Sequence, residues 1–380
     1  MPQNTGTLIA DGHLDIAYSA LLDRRDVRQP VTILREREGG ALTLSKHRDA
    51  LRQRKGPWRL APGPPTVSLP DMRRGRVGLA VASITAVVGQ PSLRLGNAQR
   101  TPEAAYAFGM AQLAYYEALE GHDEIVRIRD PQGLQRCVEA WNGDPGRAPV
   151  GVILSMESAD PIQVPEQVEQ WWEAGVRSVS LTHSGANTWG HGTGTKGGLY
   201  TPAYPLMDAL KNHGMVLDVT HASDISFWQI MDAWEGPVHA SHCNCRALVP
   251  GQRHLSDPMI KELIARGGVI GVVFAEQMLN PDCNWDDPST RPPFARRSMS
   301  TVVEHVDHIC QLAGDSEHVA IGSDLDGGFG RELVPTDLDT IADLQRFLSI
   351  LERHGYGQED IRQIAHGNLV RLFDQAWRNR

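Results

Sequence analysis

Short apolar runs alternate with longer amphipathic stretches along almost the whole chain. Thr7-Leu8-Ile9 is the first run, and residues 77–88 form a continuous apolar stretch rich in Val and Ile. Further runs lie at 150–156, 176–182, 215–220, 237–241, 268–274 and 318–323. Runs of this length with β-branched residues read as strands buried on both faces. Between them lie stretches with helical spacing at 16–28, 101–120, 164–174, 202–213, 223–234, 257–266 and 300–313, and two more at 337–354 and 358–378. Thr101-Pro102-Glu103 is a helix-starting signal and Gly121 a stop. Strand–helix alternation implies parallel strands joined by right-handed crossovers. Eight such strands predict an α/β fold of the closed (β/α)8 TIM type, with insertions and C-terminal helices. An open doubly wound sheet is the runner-up.

Two stretches break the rhythm. Residues 29–74 are rich in Arg, Pro and Gly and read as an insertion beside the barrel mouth, while 281–297 contains four Pro and reads as a loop. The expectation is one barrel domain over residues 1–380 carrying the 29–74 insertion.

The 380 residues are 41% hydrophobic and 22% charged, ordinary for a soluble globular protein with a sizeable core. A net charge of −9 argues against nucleic acid as a partner. Residues 1–7 show no basic n-region and no apolar h-region, and no run is apolar enough to span a bilayer. Cys137, Cys243, Cys245, Cys283 and Cys310 are odd in number and scattered, which fits reduced thiols. Together these features predict a cytoplasmic protein without a membrane partner.

The chemistry collects where the apolar runs stop. His13 and Asp15 flank Leu14 after the first run, and period-two alternation points both the same way. Glu157, His183, His221, His242 and Asp324 follow the third, fourth, fifth, sixth and eighth runs. Each alone has an ordinary explanation as a polar residue at a strand end. In a closed barrel, however, these ends form one ring around one mouth, whereas in an open sheet they string out along an edge. The set exceeds what one metal ion uses, since a catalytic zinc usually takes three protein ligands. Two metal ions about 3.5 Å apart can share a carboxylate and a hydroxide. Glu157 is the natural bridge, with His13 and Asp15 on one ion and His221 and His242 on the other. The shared hydroxide would attack an electrophilic carbonyl.

The ordered set Asp11-Gly-His13-Leu-Asp15, Met156-Glu157, Leu181-Thr-His183-Ser184, Leu217-Asp-Val-Thr-His221-Ala-Ser223, Ala240-Ser-His242 and Gly322-Ser-Asp324-Leu-Asp-Gly327 resembles the membrane (renal) dipeptidase family of metal-dependent hydrolase barrels. The helix 303–309 is a further match, and the resemblance runs from residue 8 to about 375. It implies two zinc ions, other divalent metals being alternatives, held by His13, Asp15, Glu157, His221 and His242. It implies that His183 contacts the substrate and steadies the oxyanion, and that Asp324 positions the hydroxide and carries its proton to the leaving amine. Arg253 falls where the family grips the substrate carboxylate, with Arg246 as a rival. The implied partner is a dipeptide, with L-Xaa-D-Xaa substrates permitted, and family members commonly pair as homodimers. Ala275 departs from the Tyr of animal members, and the 183–198 loop is unusually Gly-rich, with an extra His191.

Other signals carry less. Gly192 to Gly198 lacks the Gly-Lys-Ser/Thr ending of a phosphate loop. Cys243 and Cys245 have no second Cys pair, Asp324-Leu-Asp326-Gly lacks the closing Glu of a calcium loop, and His239 reads as a barrel-wall residue. Two other functions compete: hydrolysis of another small amide, lactam or lactone at the same site, and a metal-binding barrel without catalysis.

Overall fold

The computed structural model describes residues 6–39, 63–89, 98–282 and 296–378. Parts of the 29–74 insertion and of the 281–297 loop, with Cys283, therefore lie outside the described residues.

Strands β1 (Ile9–Leu14), β2 (Val77–Thr85), β3 (Val87–Val88), β4 (Ala98–Gln99), β5 (Ile125–Arg127), β6 (Val150–Glu157), β7 (Val176–Ser180), β8 (Val216–Asp218), β9 (Val238–Ala240), β10 (Val269–Val272) and β11 (Val319–Ile321) follow in chain order. Eight of them, β1, β2, β6, β7, β8, β9, β10 and β11, close into a parallel barrel, with β2 pairing β6 and β1 pairing β11. This is the (β/α)8 architecture that the alternation predicts. Every residue of β2 and β6 is buried, as expected for strands covered on both faces.

β5 and the helix Pro131–Gly143 occupy a stretch that the apolar pattern leaves blank. β5 pairs with the first half of β6, outside the closed ring, while β7 takes the second half. The helix starts on Asp130, whose carboxylate accepts the Gly133 N–H at 2.6 Å, with Pro131 in the first turn.

The first helix is shorter than the expected 16–28 and ends at Leu22. Arg24 is left-handed at φ 59°, which stops the helix and turns Arg25 inward. The buried Arg25 pairs with Glu38 at 2.8 Å and lies 3.6 Å from Asp326. Asp326 in turn accepts the Thr66 N–H at 2.8 Å across 260 residues. Both described flanks of the insertion are thus fastened to the mouth of the barrel beside the end of β11.

The opposite end of the barrel is covered by the last helices. Residues 363–367 form a π turn between the helices Gln358–Arg362 and Asn368–Arg378. From there His366 Nδ1 donates to the Leu8 carbonyl at 3.0 Å, and the Asn368 amide donates to the Val319 carbonyl at 2.8 Å. These carbonyls sit at the starts of β1 and β11, so the C-terminal helices hold the two strands whose pairing closes the ring.

Candidate metal centre

Glu157 is the last residue of β6, and His13 lies within β1. His183, His221, His242 and Asp324 lie just beyond the ends of β7, β8, β9 and β11. His221 and Asp324 are left-handed, at φ 66° and 57°, as is Ser158 directly after Glu157, at φ 75°. Non-glycine residues in this region carry a conformational cost that clusters at functional sites. Here each follows a barrel strand and turns the chain at the mouth.

The seven strand-end residues meet. His13, His242 and Asp324 form one group whose ligand atoms lie within 4.8 Å of one another; Glu157, His183 and His221 form a second, and His13, Asp15 and Glu157 a third. Glu157 is the centre: its Oε1 is 3.3 Å from His221 Nε2, 3.4 Å from His242 Nε2, 3.6 Å from His183 Nε2 and 3.8 Å from His13 Nε2. The Nε2 atoms of His221 and His242 are 3.2 Å apart. His13 and His242 also stack, with ring centroids 3.9 Å apart.

The electrostatics of this cluster favour a cation. His13 is pushed up to about 10: burial opposes its charge, but the carboxylates of Glu157, Asp15 and Asp324 outweigh it. Burial, with Asp15 and Glu157 adding to it, holds Asp324 well above the usual carboxylate range. Burial holds His221 and His242 well below the usual imidazole range, with the Arg253 cation contributing, which favours the neutral rings. Neutral imidazoles and carboxylates are the forms that bind metal ions. His13 has both ring nitrogens buried without a hydrogen-bond partner. A buried polar atom left so is costly unless something else satisfies it. The donor set therefore fits divalent cations, which would take the place of the excess proton on His13.

Hydroxyls and one buried carboxylate support the cluster, and the sequence reading did not pick them out. The Ser83 hydroxyl donates to Asp15. Thr193 Oγ1 lies 3.1 Å from His221 Nδ1, and Ser241 Oγ lies 2.8 Å from His242 Nδ1. Asp11 accepts the His13 N–H at 3.1 Å and the Ser323 hydroxyl at 2.5 Å, joining β1 to the turn that carries Asp324. Ser and Thr are too common for such roles to stand out in a sequence, although Asp11 is part of the first motif. Glycine lets the strands approach: a Cβ on Gly271 would meet the Ser241 carbonyl oxygen at 2.0 Å, and one on Gly322 would meet it at 1.9 Å. This close fit seats the residue preceding His242.

The two arginine candidates separate. Arg246 is paired with Asp224, N···O 2.7 Å, and also donates to the His254 carbonyl at 2.9 Å. Arg253 is buried, with its guanidinium donating to the His242 carbonyl at 3.0 Å and to Cys243 Sγ at 3.3 Å. No carboxylate of the described residues pairs with Arg253. Cys243 and Cys245 are buried and belong to none of the candidate metal groups among the described residues. His239 is fully buried, 2.9 Å from Ser178 Oγ. No described helix is long and apolar enough to cross a membrane.

A family model described as membrane dipeptidase (peptidase family M19) matches residues 8–380. Dipeptidase 3 of Rattus norvegicus is 26% identical over 68% of this chain, and the match spans about half (52%) of the rat protein. Dipeptidase verJ of Clonostachys rogersoniana is 25% identical over 69% of this chain and 67% of its own length. Among solved structures, a dipeptidase described as an M19 metallopeptidase superposes with TM-score 0.77 at 22% identity, covering 98% of this chain and 99% of its own. A metallopeptidase from Rhodobacter sphaeroides, liganded with a phosphinate mimic of the dipeptide L-Ala-D-Ala, superposes with TM-score 0.75 at 20% identity, covering 98% of this chain and 100% of its own. The barrel, the meeting of ligand-type side chains at its mouth and the family match over nearly the full sequence place the chain in one group: it belongs to the membrane dipeptidase family, peptidase family M19, and with it to the metal-dependent dipeptidases.

Proposed function

We propose that this chain hydrolyses dipeptides with a free C-terminal carboxylate, using two divalent ions, zinc in the first instance. The observation that carries the reading is the placement of one carboxylate oxygen, Glu157 Oε1, within 3.8 Å of four imidazole Nε2 atoms. In this reading His13 and Asp15 would hold one ion and His221 and His242 the other, with Glu157 a ligand that would be shared between them. When bound, such a pair lowers the pKa of a water molecule and polarises the scissile carbonyl. The protein's own residues do the rest.

His183 faces Glu157 from just beyond β7, and burial holds it below the usual imidazole range, which favours the neutral ring. A neutral imidazole offers one N–H, and His183 directs it at the oxygen that gains charge as the carbonyl becomes tetrahedral. Asp324, held high by burial, takes a proton from the attacking water and gives it to the leaving amine. Arg253 faces the substrate carboxylate with its planar guanidinium, a geometry that suits a two-oxygen acceptor. This favours short substrates with a free acid end. L-Xaa-D-Xaa dipeptides head the substrate list because the Rhodobacter structure holds an L-Ala-D-Ala mimic.

The test is a hydrolysis panel on zinc-reconstituted protein: L-Xaa-L-Xaa, L-Xaa-D-Xaa and C-terminal amides of each. Cleavage of free acids but not amides is the expected result. Two bound ions per chain with no cleavage of any dipeptide would sink the substrate assignment and leave the site.

A further inference from the structure

The glycine-rich segment after His183 has no part in the reaction as derived above, yet it is tied to two of the site's histidines. The Thr193 N–H donates to the His183 carbonyl at 3.1 Å and to the His221 carbonyl at 2.8 Å, so one amide bridges the ends of β7 and β8. Gly185 N–H donates to the Thr193 carbonyl at 2.9 Å, and Gly192 N–H to the Gly185 carbonyl at 2.8 Å. A Cβ at Gly192 would sit 1.7 Å from the His183 carbonyl oxygen, so no other residue fits there. Further along, the His191 carbonyl accepts the Ser226 hydroxyl at 2.7 Å, and the Gly197 carbonyl accepts the Ser223 hydroxyl at 2.6 Å. The segment is thereby seated on the start of the helix that follows His221.

The Thr193 side chain completes the contact. Its hydroxyl is 3.1 Å from His221 Nδ1 and 3.4 Å from the His221 carbonyl oxygen. A hydroxyl has one hydrogen and two lone pairs. With the hydrogen directed at the carbonyl, a lone pair faces the ring and accepts an Nδ1–H. The Nε2 of His221 is then bare. The same arrangement is open to His242, where Ser241 Oγ is 2.8 Å from Nδ1 and 3.3 Å from Thr220 Oγ1, once the Ser241 hydrogen is directed at Thr220. Two bare Nε2 atoms, 3.2 Å apart, then face the Glu157 carboxylate at 3.3 and 3.4 Å. Their lone pairs repel unless a cation lies between them. In the competing arrangement one Nε2 keeps a proton and donates it to the other, which closes the ligand position.

We infer that segment 183–200 is a positioning clamp, and that Thr193 is a positioning residue holding His221 with its proton on Nδ1 and its Nε2 lone pair turned toward Glu157 and His242. Its consequence for metal affinity rests on the two-ion reading above; its hydrogen-bond geometry does not. Outer-shell partners of this kind typically change metal affinity by about 10–100-fold when removed.

The variants are Thr193→Val, which removes the hydroxyl and keeps the branched shape, and Thr193→Ser, which keeps the hydroxyl. The first readout is nitrogen NMR of the histidine rings in metal-free protein near neutral pH. The expected result is His221 protonated on Nδ1 in the parent and in Thr193→Ser, and a tautomer mixture in Thr193→Val. A proton on His221 Nε2 in the parent overturns the clamp, whether or not any variant folds. So does a Thr193→Val spectrum with the parental tautomer. The second readout is zinc competition against a chelating indicator. Thr193→Val should release one ion at about 10–100-fold lower chelator than the parent, with Thr193→Ser within about threefold of it. Parental retention of both ions by Thr193→Val overturns the role in metal binding. A parent that binds fewer than two ions overturns the two-ion reading instead, while the tautomer still decides the clamp.

Discussion

Arg246 and Asp224 form a two-pronged ion pair, with Nη2···Oδ1 at 2.7 Å and Nη1···Oδ2 at 2.8 Å. That pairing occupies one guanidinium and leaves the buried Arg253 as the proposed partner of a substrate carboxylate. Arg253→Met should raise KM for free-acid dipeptides and lower kcat/KM by about 30-fold or more, the scale of about 2–5 kcal/mol for removing one partner of a buried charge pair. Arg246→Met should leave kcat/KM within about threefold and lower stability by about 1 kcal/mol or less, since both partners of the pair are partly exposed to solvent. Steady-state kinetics on both variants, with amidated substrates as controls, decides between the two arginines. A larger kinetic loss from Arg246→Met would reverse the assignment.

Glu157 faces four imidazoles, so its removal should disturb both proposed ions. Glu157→Ala is expected to lower bound zinc and to cut turnover by about a thousandfold or more. Metal analysis and a dipeptide assay on the purified variant check both effects. Turnover near the parental level would rule out a bridging carboxylate.

Asp324 is assigned to proton transfer, yet its carboxylate also lies within 4.8 Å of ligand atoms of His13 and His242. Asp324→Asn keeps the shape and removes the base. The expected outcome is two retained ions with kcat lowered by about 10²–10⁴-fold, the usual span for losing a general acid–base group. Loss of an ion in this variant would make Asp324 a ligand and leave the proton carrier to be found elsewhere.

Two buried histidines with no part in the proposed reaction set an acid limit on stability. Burial pushes His305 down to about 3 and His366 down to about 4. His305 is bound through the neutral ring, its Nδ1 accepting the Cys245 N–H at 3.1 Å; at His366 burial outweighs the bond to the Leu8 carbonyl, which on its own would raise the value. An unfolded chain protonates both near 6.5. Because the folded values are lower, the unfolded chain binds more protons below pH 6.5. Their contribution is whole above that pH and is lost as pH falls toward 4, at up to about 1.4 kcal/mol per pH unit for each group. His366→Gln, whose amide can still donate to Leu8, should flatten the fall between pH 6.5 and 4. Denaturant titrations at several pH values test this, and an unchanged slope would remove His366 from the account.

The barrel is readable because its strands are rich in Val, Ile and Leu and several helices carry clear start signals such as Thr101-Pro102. The site was readable because His, Asp and Glu stand out where apolar runs stop. β5 escaped because three residues, Ile125-Val-Arg127, are too short for a period to show, although Asp130-Pro131 marks the helix after it. The first helix was overextended because nothing in Leu22-Asp23-Arg24-Arg25 announces that Arg24 turns left-handed. Arg25 reads as a solvated charge until the fold brings it beside Asp326, whose partner Thr66 is 260 residues away. The glycine-rich 183–198 loop was visible as an oddity, but its use depends on two carbonyls, at His183 and His221, that belong to different strands.

The hydrogen bond from Ser323 to Asp11 spans 312 residues, and this bears on the order of events during folding. Two of the three ligand groups use His13, on the first barrel strand, and one joins it to Asp324, beyond the last. Contacts so distant along the chain form late, because loop closure must be met before they give anything back. A partly folded chain therefore offers no complete pocket for a scavenged ion. Ions that need the His13 groups would be held only once the ring has closed, and their binding would add to the stability of the finished barrel in proportion to the logarithm of free metal. Metal supply would thus govern how long each molecule lasts, rather than whether it folds.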